Sequence, residues 1–286
     1  MRLDARRSLS DLHTEWGSCT KCELGQRRQL VNGAFVAGEG PTRSIMLIGE
    51  GPGKNEEQQG KPFVGRSGSL LRKILQRLNI EDVCYVTNVV TCRSCQQEVD
   101  ANGQPMFRNI RGRAIPKYRD QPPLPAQIEA CLPRLYEEIY LVDPLLIVTL
   151  GGTAASTLLR RPVTILNAAG KEEHALVPGV TQIPVRTDKK GLWVRKVKGA
   201  LVAPTERNMV RYLCIPTLHP AFVARCSADK SENSPMRRFF SHLKTAMTDY
   251  VKLTEYYGIR TDVDVREDAR VEDIWDGEEG DTDDQQ

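Results

Sequence analysis

With 286 residues, 40% hydrophobic and 27% charged, the chain has the length and apolar content for one sizeable core with embellishments rather than two equal domains. Its longest apolar stretch, Leu145 to Leu159, is broken by Thr, Gly and Ser and is too short to cross a bilayer, and the mixed-charge start MRLDARRSLSDLHTEW is no secretory leader. No membrane partner is expected, and the chain is placed in the cytoplasm, associated with the nucleoid, as a monomer. The formal net charge of +3 conceals an asymmetry, because Asp262 to Gln286 carries a net −10 and the body +13. A basic body points to a polyanionic partner, nucleic acid first, while the same charges also serve as a solvated surface.

In chain order, buried strands are expected at Ser44–Ile48, Val83–Val90, Leu145–Leu150 and Tyr212–Leu218, each a short β-branched, apolar run. Helices are expected at Ser67–Leu78, Pro125–Val142, Gly152–Leu159 and Pro235–Tyr256. Strands alternating with helices predict an α/β fold, a three-layer αβα sandwich around a mostly parallel, roughly four-stranded sheet. Its functional loops should lie at the strand C-terminal ends. One domain is expected over residues 1–256, with insertions at about 94–119 and 169–211. Residues 257–286, acidic and poor in apolar side chains, are expected to be disordered, aiding solubility or competing with DNA for the basic face.

Two loops carry chemistry. After the first strand comes Gly49-Glu50-Gly51-Pro52-Gly53-Lys54-Asn55-Glu56, then Lys61-Pro62-Phe63-Val64-Gly65-Arg66-Ser67-Gly68. Gly and Pro at this density bring backbone close to a ligand and can aim several N–H groups at it, although the Gly-Lys-Ser/Thr ending of a phosphate loop is missing. The last strand runs into Pro216-Thr217-Leu218-His219-Pro220-Ala221, which sets a histidine on the same sheet edge. Eight cysteines in a reducing compartment read as ligands of a metal or cluster rather than as a disulfide framework, and Cys19-Thr20-Lys21-Cys22 is a CxxC.

These motifs, with Thr87-Asn88-Val89-Val90-Thr91-Cys92-Arg93 and the Gly-Gly-Thr-Ala-Ala turn after Leu150, occur together in an order that resembles the iron–sulfur (family 4) uracil-DNA glycosylases and related phage-polymerase-associated domains. The resemblance runs from about Cys19 to Arg225, less the two insertions. It implies a glycosylase that flips a pyrimidine, uracil or a modified base, out of single- or double-stranded DNA and hydrolyses its N-glycosidic bond. It implies four cysteine ligands, Cys19, Cys22, Cys92 and Cys131, for a 4Fe-4S cluster, with tetrahedral zinc as the alternative and Cys95 as a competing ligand. Resemblance and chemistry together put the backbone of Gly49 and Gly51 at the base, stack Phe63 on it and set Asn88 at its Watson–Crick edge. His219 would donate to its departing oxygen, and Glu56 would position water, with Glu50 in reserve. No lysine is seen placed for Schiff-base strand cleavage, so a monofunctional enzyme is expected.

The chain departs from that family in its insertions. The second holds the basic, aromatic-bearing stretch with Lys189, Lys190, Trp193 and Arg195, which together with Arg225 are candidate DNA contacts. Added loops leave open excision of a bulky modified cytosine, such as a glucosylated hydroxymethylcytosine of phage DNA. A non-catalytic DNA-binding module is the remaining alternative. Covalent capture by a histidine is disfavoured, because Arg108 to Lys117 is Arg-rich but contains no histidine.

Overall fold

The structure is a computed structural model that describes residues 8–110, 112–178, 180–181, 186–187, 193–194, 200–201, 209–261, 266 and 268–275. Helix α1 (Leu9–Gly17) starts at Ser8, whose hydroxyl accepts from the Asp11 amide while the Asp11 carboxylate accepts from the Ser8 amide, satisfying two orphan donors reciprocally. Helix α2 (Glu23–Leu30) follows from Cys22, then β1 (Ile45–Gly49), the short α3 (Lys54–Gln59), α4 (Arg66–Arg77) and β2 (Cys84–Asn88). The first insertion is a ribbon. In it β3 (Cys95–Gln97) pairs antiparallel with β6 (Tyr118–Asp120), and β4 (Phe107–Ile110) with β5 (Arg113–Pro116).

Helix α5 (Pro125–Val142) begins with proline at its first position, where no amide donor is needed, and leads through left-handed Asp143 into β7 (Leu146–Leu150). Next come α6 (Gly152–Leu159), the single turn α7 (Ile165–Ala168) and β8 (Glu173–Pro178). The second insertion shows two short pairs, β9 (Val180–Thr181) with β12 (Ala200–Leu201) and β10 (Arg186–Thr187) with β11 (Trp193–Val194). Strand β13 (Met209–Thr217), α8 (Pro220–Arg225), α9 (Pro235–Tyr257) and α10 (Glu272–Trp275) complete the order.

The main sheet runs β2-β1-β7-β13-β8, with the first four strands mutually parallel. Ile45 and Leu47 of β1 face the core made with α4, α9 and α10, whereas Met46 and Ile48 face the one made with α5 and α6. Every residue of β1 is therefore buried, as expected of a parallel strand covered on both sides.

Two expectations are corrected here. The sheet has five strands, because β8 lies antiparallel to β13 with Glu173 opposite Cys214 and Pro178 opposite Met209. Its alternation is the cause, as Ala175 and Val177 are buried while His174 and Leu176 point outward. The segment expected to be disordered from residue 257 is also structured in part. Ala269, Val271 and Ile274 are buried in the α4–α9 core, and α10 is tied down by Asp273 to Arg77 and Glu272 to Arg237.

Candidate active site

The loops at the C-terminal edge of the parallel strands enclose a cleft of about 790 Å³. Glu50, Gly51, Glu56, Phe63, Asn88, His219 and Arg225 all line it, so seven of the expected site residues meet in one place. Gly49 does not line the cleft but shapes it. It lies opposite Asn88 in the β1–β2 register, and a Cβ there would stand 2.5 Å from Asn88 Oδ1 and 2.7 Å from the Phe63 ring. Only glycine lets the two side chains close over the strand end.

Phe63 adopts φ +54°, a left-handed backbone that costs a non-glycine residue energy and must be held from outside. Arg72 of α4 holds it, donating through Nε to the Phe63 carbonyl at 3.1 Å and through Nη2 to the Pro62 carbonyl at 3.1 Å. Glu39 and Glu81 in turn fix that guanidinium.

Asn88 is held from beneath. Arg134 of α5, fully buried, donates through Nη2 to the Asn88 and Val89 carbonyls at 2.7 and 2.6 Å, and through Nη1 to Glu138 at 2.5 Å. Glu138, also buried, accepts from Tyr85 at 2.9 Å and Thr87 at 3.0 Å. Burial acts to raise the Glu138 carboxyl, but Arg134 and these hydrogen bonds, with His13, hold it below the ordinary glutamate value. The network escaped the sequence reading, although Arg and Glu four apart on the buried side of α5 were its signal.

His219 is the N-cap of α8, and its Nδ1 accepts from the Ala221 amide at 3.1 Å. The ring proton therefore resides on Nε2, which is left as a donor. Burial pushes the imidazole below its ordinary value, and nearby Arg225 adds to this against the opposing pull of Glu50. Left-handed Gly151 (φ +96°) lets the histidine pack against the β7 turn, where a Cβ would lie 3.1 Å from its ring.

The two carboxylates differ in setting. Glu56 is buried and accepts from the Gly65 amide at 3.1 Å, whereas Glu50 accepts from the Thr153 hydroxyl. Lys54 also lines the cleft. It is exposed, without the apolar enclosure that activates an amine nucleophile.

Of the expected cysteine ligands, Cys22 caps α2 with no capping bond from its side chain, and Cys92 and Cys131 are buried in one cluster with it. Burial pushes the Cys92 thiol up to about 11 against the opposing Arg28 guanidinium, with Cys131 and Cys22 adding to the rise. Arg28 also donates to the Cys19 carbonyl at 3.2 Å, which links the CxxC loop to Cys92. Cys95 belongs elsewhere, paired with Asp120 in the ribbon among Arg27, Arg93 and Glu57. Among the described residues, no three His, Cys, Asp or Glu side chains are gathered to hold one metal ion. Lys189, Lys190 and Arg195 lie outside the described residues, as does the side chain of Trp193.

A parallel sheet covered on both faces, with an aromatic ring, an amide and a neutral imidazole converging at its strand ends, defines an α/β domain whose cleft offers groups that can stack on and hydrogen-bond a planar polar ligand. The chain belongs to the uracil DNA glycosylase superfamily, whose family model matches residues 37–244. It is 39% identical over 215 residues to the type-4 uracil-DNA glycosylase of Thermotoga maritima, covering 72% of this chain and 78% of that protein. It is 33% identical over 179 residues to that of Pyrobaculum aerophilum, covering 60% and 77%, and 38% identical over 147 residues to that of Sulfurisphaera tokodaii, covering 50% and 54%. The chain thus spans about half the length of the last relative and about three quarters of the other two. No helix among the described residues is long and apolar enough to cross a membrane.

Proposed function

We propose that the chain is a monofunctional DNA glycosylase that excises uracil from DNA and leaves an abasic site. The observation that carries this is His219, a neutral imidazole whose Nδ1 is occupied by the Ala221 amide and whose Nε2–H is free to meet a base in the cleft. A base cannot be cut while stacked in a duplex, so the nucleotide must swing into the cleft, where Phe63 takes over stacking and Asn88 its polar edge. As the bond from the base to C1′ breaks, its electron pair leaves with the base, and His219 donates to the oxygen that gains charge. Glu56 faces the sugar cation and orients a water, whose oxygen bonds to C1′ while its proton passes to the carboxylate or solvent. Glu50, tied to Thr153, adds negative charge beside that cation.

The relatives are named for uracil, which leaves the bulky-cytosine and non-catalytic readings without support of their own. The test is base release from oligonucleotides carrying uracil, 5-hydroxymethylcytosine or its glucosylated form. Uracil alone should be released, and release of a modified cytosine with uracil retained would overturn the reading. Eight cysteines with no disulfide among them support a reducing compartment such as the cytoplasm, where the enzyme would act on DNA.

We further assign Cys19, Cys22, Cys92 and Cys131 to a 4Fe-4S cluster. Three of these cysteines pack in one hydrophobic cluster, Arg28 sets positive charge beside Cys92 and donates to the Cys19 carbonyl, and Cys22 stands at the N-terminus of α2. When bound, the cluster would staple the N-terminal loop, the segment after β2 and α5 together. Cys131→Ser should lose bound iron and brown colour and melt at a lower temperature, whereas a colourless wild type holding one zinc would refute the assignment.

A further inference from the structure

We propose that the ribbon of residues 95–120 is a DNA-strand clamp, in which Arg108, Lys117 and Arg119 hold phosphates beside the flipped nucleotide. The proposal rests on the glycosylase reading of the cleft. The ribbon is rooted in the cleft wall, since Ser94, Asp120 and Gln121 line it and the Gln121 amide donates to the Ser94 carbonyl at 3.0 Å. A strand that delivers a nucleotide into the cleft passes this root.

From there the ribbon is continuous. Cys95 pairs with Asp120, the Glu98 amide donates to the Lys117 carbonyl at 2.9 Å, and the Lys117 amide to the Met106 carbonyl at 2.9 Å. Arg108 is opposite Ile115. Lys117 is three residues and Ile115 five beyond Asp120, so at about 3.4 Å per residue the three cations are strung over no more than ~17 Å, the reach of a few successive phosphates.

The charge pattern suits a polyanion. The ribbon carries five Arg or Lys, all within 101–119, against Glu98, Asp100 and Asp120, which lie outside that stretch. Arg108 and Arg119 are exposed, Lys117 is half-buried, and none of the three takes part in an ion pair among the described residues. Phe107, 53% exposed beside Arg108, is an aromatic face of the kind on which bases stack. Aspartate pairing marks the difference between root and shaft: Arg93 at the root is held by Asp120 at 2.5 Å, whereas the shaft cations are left for a partner.

The test uses the full chain with Arg108→Ser, Lys117→Ser and Arg119→Ser combined, and Arg108→Gln alone as a milder variant. Binding to a uracil-containing 20-mer is measured against salt, alongside uracil release from the 20-mer and from a trinucleotide too short to reach the ribbon. The triple variant should bind the 20-mer at least tenfold more weakly, with the slope of log affinity against log salt reduced by about 2 to 3 and trinucleotide turnover unchanged. Arg108→Gln should reduce the slope by up to about 1. Unchanged affinity and slope in both variants would overturn the clamp. So would an equal loss of turnover on the 20-mer and trinucleotide, which would make the ribbon a pocket wall instead. If wild type releases uracil from neither substrate, the glycosylase reading fails, while the salt slopes still report on the clamp.

Discussion

His219→Ala should slow uracil release by about a hundredfold or more, the loss of about 3 kcal/mol that follows removal of one donor aimed at developing negative charge. The size follows from geometry. Nδ1 is occupied by the Ala221 amide, so the ring cannot reverse its polarity without giving up the cap of α8, and Nε2–H is a fixed donor. His219→Gln, which keeps an N–H in the side chain, should recover part of the loss. The same geometry sets a pH dependence. Protonation would place a second N–H against the Ala221 amide, and burial already disfavours the charged ring, so the neutral form persists below the ordinary histidine value of about 6.5. Single-turnover rates should therefore hold steady as pH falls through that value and decline only at lower pH. A decline centred at or above 6.5 that vanishes in His219→Gln would show that the ring titrates normally and that its enclosure has been misjudged.

The largest expected effect on stability lies under the site rather than in it. Arg134→Met strands the buried Glu138 carboxylate and frees the Asn88 and Val89 carbonyls, and removal of one partner of a buried pair typically costs about 3 to 5 kcal/mol. Urea denaturation should show that loss. Arg134→Met with Glu138→Gln should regain part of it, since the amide removes the stranded charge and can still accept from Tyr85 or Thr87. Because the Glu138 carboxyl is held below its ordinary value, its contribution is present above the usual glutamate range and fades as pH falls beneath it. Wild type and Arg134→Met should therefore converge in stability in acid. Equal stability of the two proteins at neutral pH would mean that the pair contributes nothing net.

Much of this arrangement was legible in the chain because the four parallel strands are near-continuous apolar runs and the longer helices have clear starts at Pro125, Gly152 and Pro235. The elements gave the sheet edge, and the edge gathered Glu50, Glu56, Phe63, Asn88 and His219. What escaped depended on tertiary context. Strand β8 alternates over only six residues within a segment dominated by Pro, Gly and basic side chains, and its pairing with β13 is an event far along the chain. Helix α10 holds little intrinsic preference against its charge, and Val271 and Ile274 are too few to announce a core position. Arg134 looked like one more cation on a helix until α5 was laid against β2. Arg72 was unreadable for a related reason, since nothing in a sequence says that a phenylalanine nine residues away will need its carbonyl held at a left-handed turn.

The docking of α10 on α4 has a consequence for the life of the chain on the ribosome. Asp273 meets Arg77 across 196 residues of sequence, so this contact cannot form until the chain has been made well past the last of the cleft residues. Helix α4 also carries Arg66 and Ser67 into the cleft wall, and Val271 and Ile274 cover part of the core behind it. A nascent chain can thus assemble its strands and bring the cleft residues together while that side of the core is still open to water. Closure waits for α10, which is made after every cleft residue, and proteolytic trimming ahead of Ala269 would open that side of the core again.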